Sequence, residues 1–235
     1  MAVVVLLVGF PFALLVLLLT IGNLHRRARW GSVFSHLWAS IFCFIFGLRI
    51  ETEGTPPPSG SFAVCNHISH FDVLIIARLF PTSLVSKKEI RKWPVIGFMA
   101  AAIGTVFVDR GDRDKTAGTV EQLSSYLREG ATITLFPEGQ TGEGGCVLPF
   151  KRSLFAMPAD LGMPTYPIAL FYKEAAAAWA DDTPFVLHIF RQLGRPVQRL
   201  KIVFGEPIPP GLERKPLAFE AQARVEELFQ RAQQV

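Results

Sequence analysis

Cysteine is scarce and scattered: Cys43, Cys65 and Cys146 are the only three in 235 residues, and the first lies inside an apolar segment. That spacing excludes a disulfide framework and a cysteine-based zinc pattern, and makes a reducing, cytoplasmic-side domain the default. Histidine is thin too, at five residues. His67, His70 and Asp72 are the right residue types for zinc, but outside that block only His25, His36 and His188 remain. A complete site for a zinc hydrolase is hard to assemble from them, and no metal is expected. Neither Walker nor dinucleotide-binding glycine spacing is present. Nor is there an internal repeat, or a low-complexity tract beyond Ala175–Ala178.

Charge is missing from Ala2 to Ile21, and this absence shapes the N-terminus. About 20 residues of helix cover roughly 30 Å, the hydrocarbon thickness of a bilayer. Met1-Ala2-Val3 supplies no basic n-region and no small-x-small cleavage pattern follows, so the segment reads as retained rather than as a cleaved signal. Arg26, Arg27 and Arg29 fall in the loop Gly22 to Trp30, and arginine beside a membrane segment marks the cytoplasmic side. Gly31 to Leu48 is also free of Lys, Arg, Asp and Glu, but His36, serines and aromatics make it a weaker spanning candidate. If it spanned, the following domain would lie outside. The arginine bias favours an interfacial second helix anchored by Trp30 and Trp38, with the catalytic domain on the cytoplasmic side of the membrane.

The net charge of +4 comes from dispersed basic residues. Beside a membrane anchor they suit anionic headgroups or phosphorylated substrates, and nucleic acid is not expected. The chain divides into membrane-anchoring helices (1–50), a stiff Pro56-Pro57-Pro58 linker (51–60) and one domain (61–235). Within that domain β-prone runs at Phe62–Cys65, Leu84–Ser86, Thr105–Val108, Thr132–Phe136, Thr165–Leu170 and Ile202–Phe204 alternate with helical patterns. The clearest helices are Thr116–Arg128, ending at Gly130, and Leu217–Gln233. The expected fold is α/β: a single catalytic domain with a central mixed, largely parallel sheet flanked by helices, preceded by a membrane helix pair.

Asn66-His67-Ile68-Ser69-His70-Phe71-Asp72 follows directly on the first strand, which places His67 in a strand-to-helix turn and Asp72 at the start or cap of the next helix. Histidine near its ordinary pKa of about 6.5 accepts protons at neutral pH, and an aspartate on its other ring nitrogen would fix the tautomer. Alone, such a pair is more often a turn and a helix cap. Gly104-Thr105-Val106-Phe107-Val108-Asp109-Arg110 places Arg110 at a strand end, where its fork of donors suits phosphate oxygens; an ion pair with Asp109 or Asp112 fits equally well. Phe136-Pro137-Glu138-Gly139 ends another strand, with Gly142, Gly144 and Gly145 keeping the loop open. Pro164 and Pro167 bracket the start of a further strand.

These four blocks, in this order, resemble the glycerolipid acyltransferase family typified by 1-acylglycerol-3-phosphate acyltransferase. The similarity runs from about Ser61 to Pro209 and includes Val85–Glu89, Trp93–Gly97 and Leu148–Lys151. It implies transfer of a fatty acyl group from acyl-coenzyme A or acyl-carrier protein to a glycerol-like hydroxyl, giving phosphatidic acid, with no cofactor beyond the thioester. On that resemblance His67 is the general base and Asp72 its orienting partner. Arg110, Glu138, Gly139, Lys87 and Lys151 match acceptor- or phosphate-binding positions, while Asn66, Gly104, Phe107, Pro137 and Pro167 complete the motifs. No Gly-x-Ser-x-Gly turn calls for a covalent acyl-enzyme. Many phosphatidic-acid-forming members continue Phe-Pro-Glu-Gly with Thr-Arg-Ser, whereas Gln140-Thr141-Gly142 stands here, which weakens the case for a phosphate-bearing acceptor. Trp93–Gly97 and Val147–Leu154 are similar to members that acylate other lysolipids, and lyso-ornithine lipid is the alternative acceptor. A catalytically silent lipid-binding protein is the remaining reading.

Overall fold

A computed structural model describes residues 2–93, 95–109, 113–174 and 198–234. Helices α1 (Ala2–Leu19) and α2 (Leu24–Ile45) precede strand β1 (Leu48–Glu53). Alternation then sets in: β2 (Phe62–Cys65), α3 (Asp72–Leu79), β3 (Ser83–Lys87), α4 (Ile96–Ala102), β4 (Val106–Val108), α5 (Arg113–Arg128) and β5 (Ile133–Leu135). After α6 (Ala156–Leu161) come β6 (Thr165–Tyr172), β7 (Gln198–Phe204) and α7 (Arg214–Gln233).

Among the described residues the strands form one seven-stranded sheet in the order β1-β7-β6-β2-β5-β3-β4. Every neighbouring pair is parallel except β6 with β7. The fold is thus α/β with a mixed, largely parallel sheet. β2 lies inside it, and all four residues Phe62–Cys65 are buried, as expected of a parallel strand covered on both faces. Because β2, β3, β4, β5 and β6 run the same way, their C-terminal ends share one edge of the sheet. The Asn66–Asp72 motif begins just beyond the end of β2, Phe136–Gly139 just beyond β5, and Lys87 ends β3.

The helices form two packed groups. α6 packs against both α5 and α7, and α7 also covers β6 and β7. α2 packs along α3 and touches β1 and β3, while α1 lies on α2 and α4. The contact is close because glycines permit it: a Cβ at Gly31 would fall 1.8 Å from the Ile103 carbonyl oxygen, leaving no room for any side chain. Gly104 has φ +83° and approaches the Ala28 backbone, so this motif glycine serves the α2–β4 junction rather than a ligand.

Two local expectations are corrected. The arginine-bearing stretch is the first two turns of α2 rather than a loop, since the Asn23 side chain caps the helix by accepting the Arg26 N–H at 2.9 Å. Residues 51–53 belong to β1, so the Pro-rich connection starts at Gly54. β1 is an edge strand pairing only with β7, and its largely exposed Leu-Arg-Ile-Glu-Thr-Glu carries little of the apolar signal that reveals interior strands. The N-terminal helix pair is present, but among the described residues no helix is long and apolar enough to cross a membrane. The Ala175–Ala178 tract and His188 lie outside the described residues.

Candidate active site

The chain leaves β2 at Cys65 and turns at once. Asn66 holds this turn to the neighbouring strand: its side-chain amide donates to the Leu170 carbonyl at 2.9 Å while its oxygen accepts the Leu170 N–H at 2.8 Å. A buried side chain thereby continues the β2–β6 ladder by one rung. His67 follows, its side chain 14% exposed, with its ring stacked on Phe136 at 4.4 Å between centroids.

Asp72 is fully buried at the first residue of α3. Its Oδ2 lies 2.9 Å from His67 Nδ1 and also accepts the N–H groups of Ile68 at 2.6 Å and Ser69 at 2.9 Å. Three donors on one carboxylate oxygen fix its direction. With Nδ1 engaged, Nε2 is the nitrogen left to take a proton from outside. The geometry is that of a general base held in one tautomer by a carboxylate.

The Phe136–Gly139 turn leaves β5 beside this pair. Glu138 is buried, and its Oε1 accepts the His67 N–H at 3.3 Å while Oε2 has no hydrogen-bond partner. Burial pushes its carboxyl up to about 8, against the lowering effect of the His67 and Leu148 amides, so it holds its proton at neutral pH. Gly139 turns the chain at φ +75°, and the Pro137 carbonyl accepts the Lys151 N–H at 2.8 Å, drawing Lys151 alongside. The Gly142 N–H donates to the His67 carbonyl at 2.8 Å, so the loop is tied to the base from both sides.

A groove of about 310 Å³ opens next to this turn, lined by Lys87, Lys88, Glu89, Val108, Asp109, Gly139, Gln140 and Lys151. Lys88 pairs with Asp109 at 2.8 Å. Lys87 ends β3, and Asp109 follows β4, so both arrive from neighbouring strand ends. Arg110, the next residue, lies outside the described residues. Phe107 packs under the Arg91 guanidinium, 5.8 Å from its ring centre, and Pro167 is buried in β6 in register with Val64. Phe107, Gly104 and Pro167 therefore build the frame and do not line the groove. Among the described residues no group of three or more His, Cys, Asp or Glu side chains is placed to hold a metal ion.

Tyr172 was not expected. It ends β6, is buried, and donates its hydroxyl to Asp72 Oδ1 at 2.7 Å. In the sequence it is the last residue of an apolar strand, and nothing local singles it out.

A family profile described as Acyltransferase matches residues 48–171, more than half of the chain. The lyso-ornithine lipid O-acyltransferase of Pseudomonas aeruginosa is 31% identical over 207 residues, covering 86% of this chain and 77% of that protein. The chain belongs to the acyltransferase family. The 1-acyl-sn-glycerol-3-phosphate acyltransferase of Neisseria gonorrhoeae is 33% identical over 128 residues, a shorter match of 54% of this acyltransferase and 50% of the relative. A crystal structure of the 1-acyl-sn-glycerophosphate acyltransferase from Thermotoga maritima superposes with a TM-score of 0.65 over 95% of this chain and 88% of that one. At 20% identity that likeness is one of fold. The family profile begins at Leu48, the first residue of β1, which agrees with counting that strand in the sheet.

Proposed function

We propose that this acyltransferase moves a fatty acyl group from an acyl thioester, acyl-coenzyme A or acyl-carrier protein, to the free hydroxyl of lyso-ornithine lipid. One observation carries the chemistry: His67 is held by Asp72 through Nδ1 beside an open, lysine-lined groove. Nε2 removes the hydroxyl proton as the oxygen attacks the thioester carbonyl. The imidazolium that forms is stabilised by Asp72, and the tetrahedral adduct expels the thiolate, which takes the proton back from His67 and leaves as free thiol. A positioned base of this kind contributes about 10²- to 10⁴-fold in rate, the remainder coming from holding the two substrates together.

Two observations support this acceptor. Gln140-Thr141-Gly142 puts no arginine in the loop after Glu138 and Gly139, and an ornithine headgroup carries no phosphate. The lyso-ornithine lipid relative also matches over most of both chains, whereas the glycerophosphate relative matches over about half. Lysophosphatidic acid is the second reading, favoured by Lys87, Lys88 and Lys151 around the groove; Arg110 would then grip its phosphate.

Both acceptors are membrane lipids, and α1 and α2 suit docking on the cytoplasmic face. Trp30, Val33, Leu37, Ile41 and Phe44 are all exposed and recur at helical spacing along one side of α2. Phe12, Leu18, Leu19 and Ile21 add exposed apolar surface at α1, and the exposed Arg26 and Arg29 stand beside it.

The test supplies membranes containing the protein with labelled acyl thioester and a panel of lysolipids that includes both acceptors. Labelled ornithine lipid is the expected product, and His67→Ala should abolish it while membrane association persists. Full turnover by that variant would overturn the mechanism; labelled phosphatidic acid alone would move the assignment to the second reading.

A further inference from the structure

We infer that Tyr172 is a positioning residue for acyl transfer, holding Asp72 in the orientation that serves His67. The inference rests on the reading of His67 and Asp72 as the catalytic pair. Asp72 has two oxygens with different duties. Oδ2 faces His67 Nδ1 and takes the Ile68 and Ser69 amides, all within one short turn of chain. Oδ1 has no such local support: the hydroxyl given to it at 2.7 Å comes from Tyr172, 100 residues away on β6.

The rotation of the carboxylate about its Cβ–Cγ bond is therefore set at both ends. Removing the Tyr172 hydroxyl would leave a buried carboxylate oxygen without its donor. The group could then turn to share its charge differently between the amides and the imidazole. The phenol itself is fit to stay a donor, since burial and the neighbouring Asp72 charge push its pKa well above the ordinary value. Tyr172 also has a fixed seat. Asn66 pins β2 to Leu170, two residues earlier on the same strand, so the strand end carrying the phenol and the turn carrying the imidazole are locked in register. Tyr172 does not line the lysine-lined groove; it borders a smaller cavity beside Ile68 and Gly144, and its hydroxyl reaches the catalytic pair through Asp72.

Tyr172→Phe keeps the ring and deletes only the hydroxyl. The expected result is kcat lowered by about tenfold, which is about 1.4 kcal/mol of barrier, with KM for donor and acceptor each within about twofold of wild type. In an Asp72→Asn background the same change should alter kcat by less than about twofold, because the group it acts through is already lost. Activity is measured well below each variant's own melting midpoint, so lost stability is not read as lost turnover. Thr134→Val is the structural control: it removes a buried hydroxyl contact of 2.9 Å to Thr82 on the sheet and should lower the melting temperature with kcat unchanged. Wild-type kcat in Tyr172→Phe, or equal losses with and without Asp72, would overturn the inference. His67→Ala separates the two failures. If it retains turnover the catalytic pair itself is wrong, and if it is inactive while Tyr172→Phe is normal, only the role of Tyr172 falls.

Discussion

Glu138 is a residue whose environment works against its chemistry. A carboxyl in water releases its proton near 4.5, but here it is buried with one oxygen on the His67 amide and the other without a donor, and its pKa rises to about 8. An unpartnered buried oxygen cannot hold negative charge cheaply, so the proton stays. The consequence for stability has a definite sign. Between about pH 4.5 and 8 the folded state keeps a proton that the unfolded chain releases, so stability falls as pH rises through that window and levels off above it. The slope has an upper limit of about 1.4 kcal/mol per pH unit. Glu138→Gln is neutral throughout and should remove this part of the slope. Thermal melts from pH 5 to 9 should show the variant gaining on wild type as pH rises to about 8 and not beyond. Parallel curves would mean that the carboxyl is ionised in the folded protein.

Among the elements, apolar strands are legible, the β4 edge at Val106–Val108 included, and the charged edge strand β1 is not. Phe62–Cys65 is β2 residue for residue, because four apolar residues between turn signals admit little else, and Asp72 opens α3 where the motif placed it. β1 gives no apolar run because Arg49, Glu51 and Glu53 alternate through it, whereas the equally terminal β4 is Val-Phe-Val; the start of α2 is hidden because its first turns carry three arginines. The pairing order of the strands, and with it Tyr172, was beyond reach: contacts 100 residues apart leave no periodic trace in one sequence. α2 also shows a reversed pattern with a reason. Its buried side is small up to Ala39, with Ala28, Gly31 and Ser35, so that neighbouring helices and backbone can approach closely before Phe42 enters the core, while Trp30, Val33, Leu37, Ile41 and Phe44 face outward. Solvent alone would not favour that arrangement, and a lipid surface would. Leu37→Asp with Phe44→Asp should therefore weaken binding to anionic vesicles by at least tenfold in a sedimentation assay, about 1.4 kcal/mol or more, without lowering the melting temperature. Unchanged binding would remove the lipid-docking role of that stripe.

At the scale of the whole molecule, the parallel sheet explains why residues as far apart as Asn66 and Glu138 meet at one place: the turns after β2, β3, β4 and β5 leave the same edge, and Lys151 is drawn in through its backbone bond to Pro137. The arrangement concentrates charge as well as chemistry there, setting three lysines against Glu89 and Asp109 around the groove. Against a phosphate-bearing acceptor such partial neutralisation is costly, and the loop that could offset it carries Thr141 where many phosphatidic-acid-forming members carry arginine. Thr141 is half-buried in the loop whose Gly142 amide is tied to the His67 carbonyl, so a longer side chain there starts close to the site. Thr141→Arg should add a charge-assisted contact to a phosphate and nothing to an ornithine headgroup. The expected outcome is a kcat/KM for lysophosphatidic acid raised by about tenfold, equivalent to about 1.4 kcal/mol, with turnover of lyso-ornithine lipid unchanged or reduced. An equal effect on both acceptors would show that the loop does not read the headgroup, and acceptor choice would then have to be set along the lysine-lined wall of the groove.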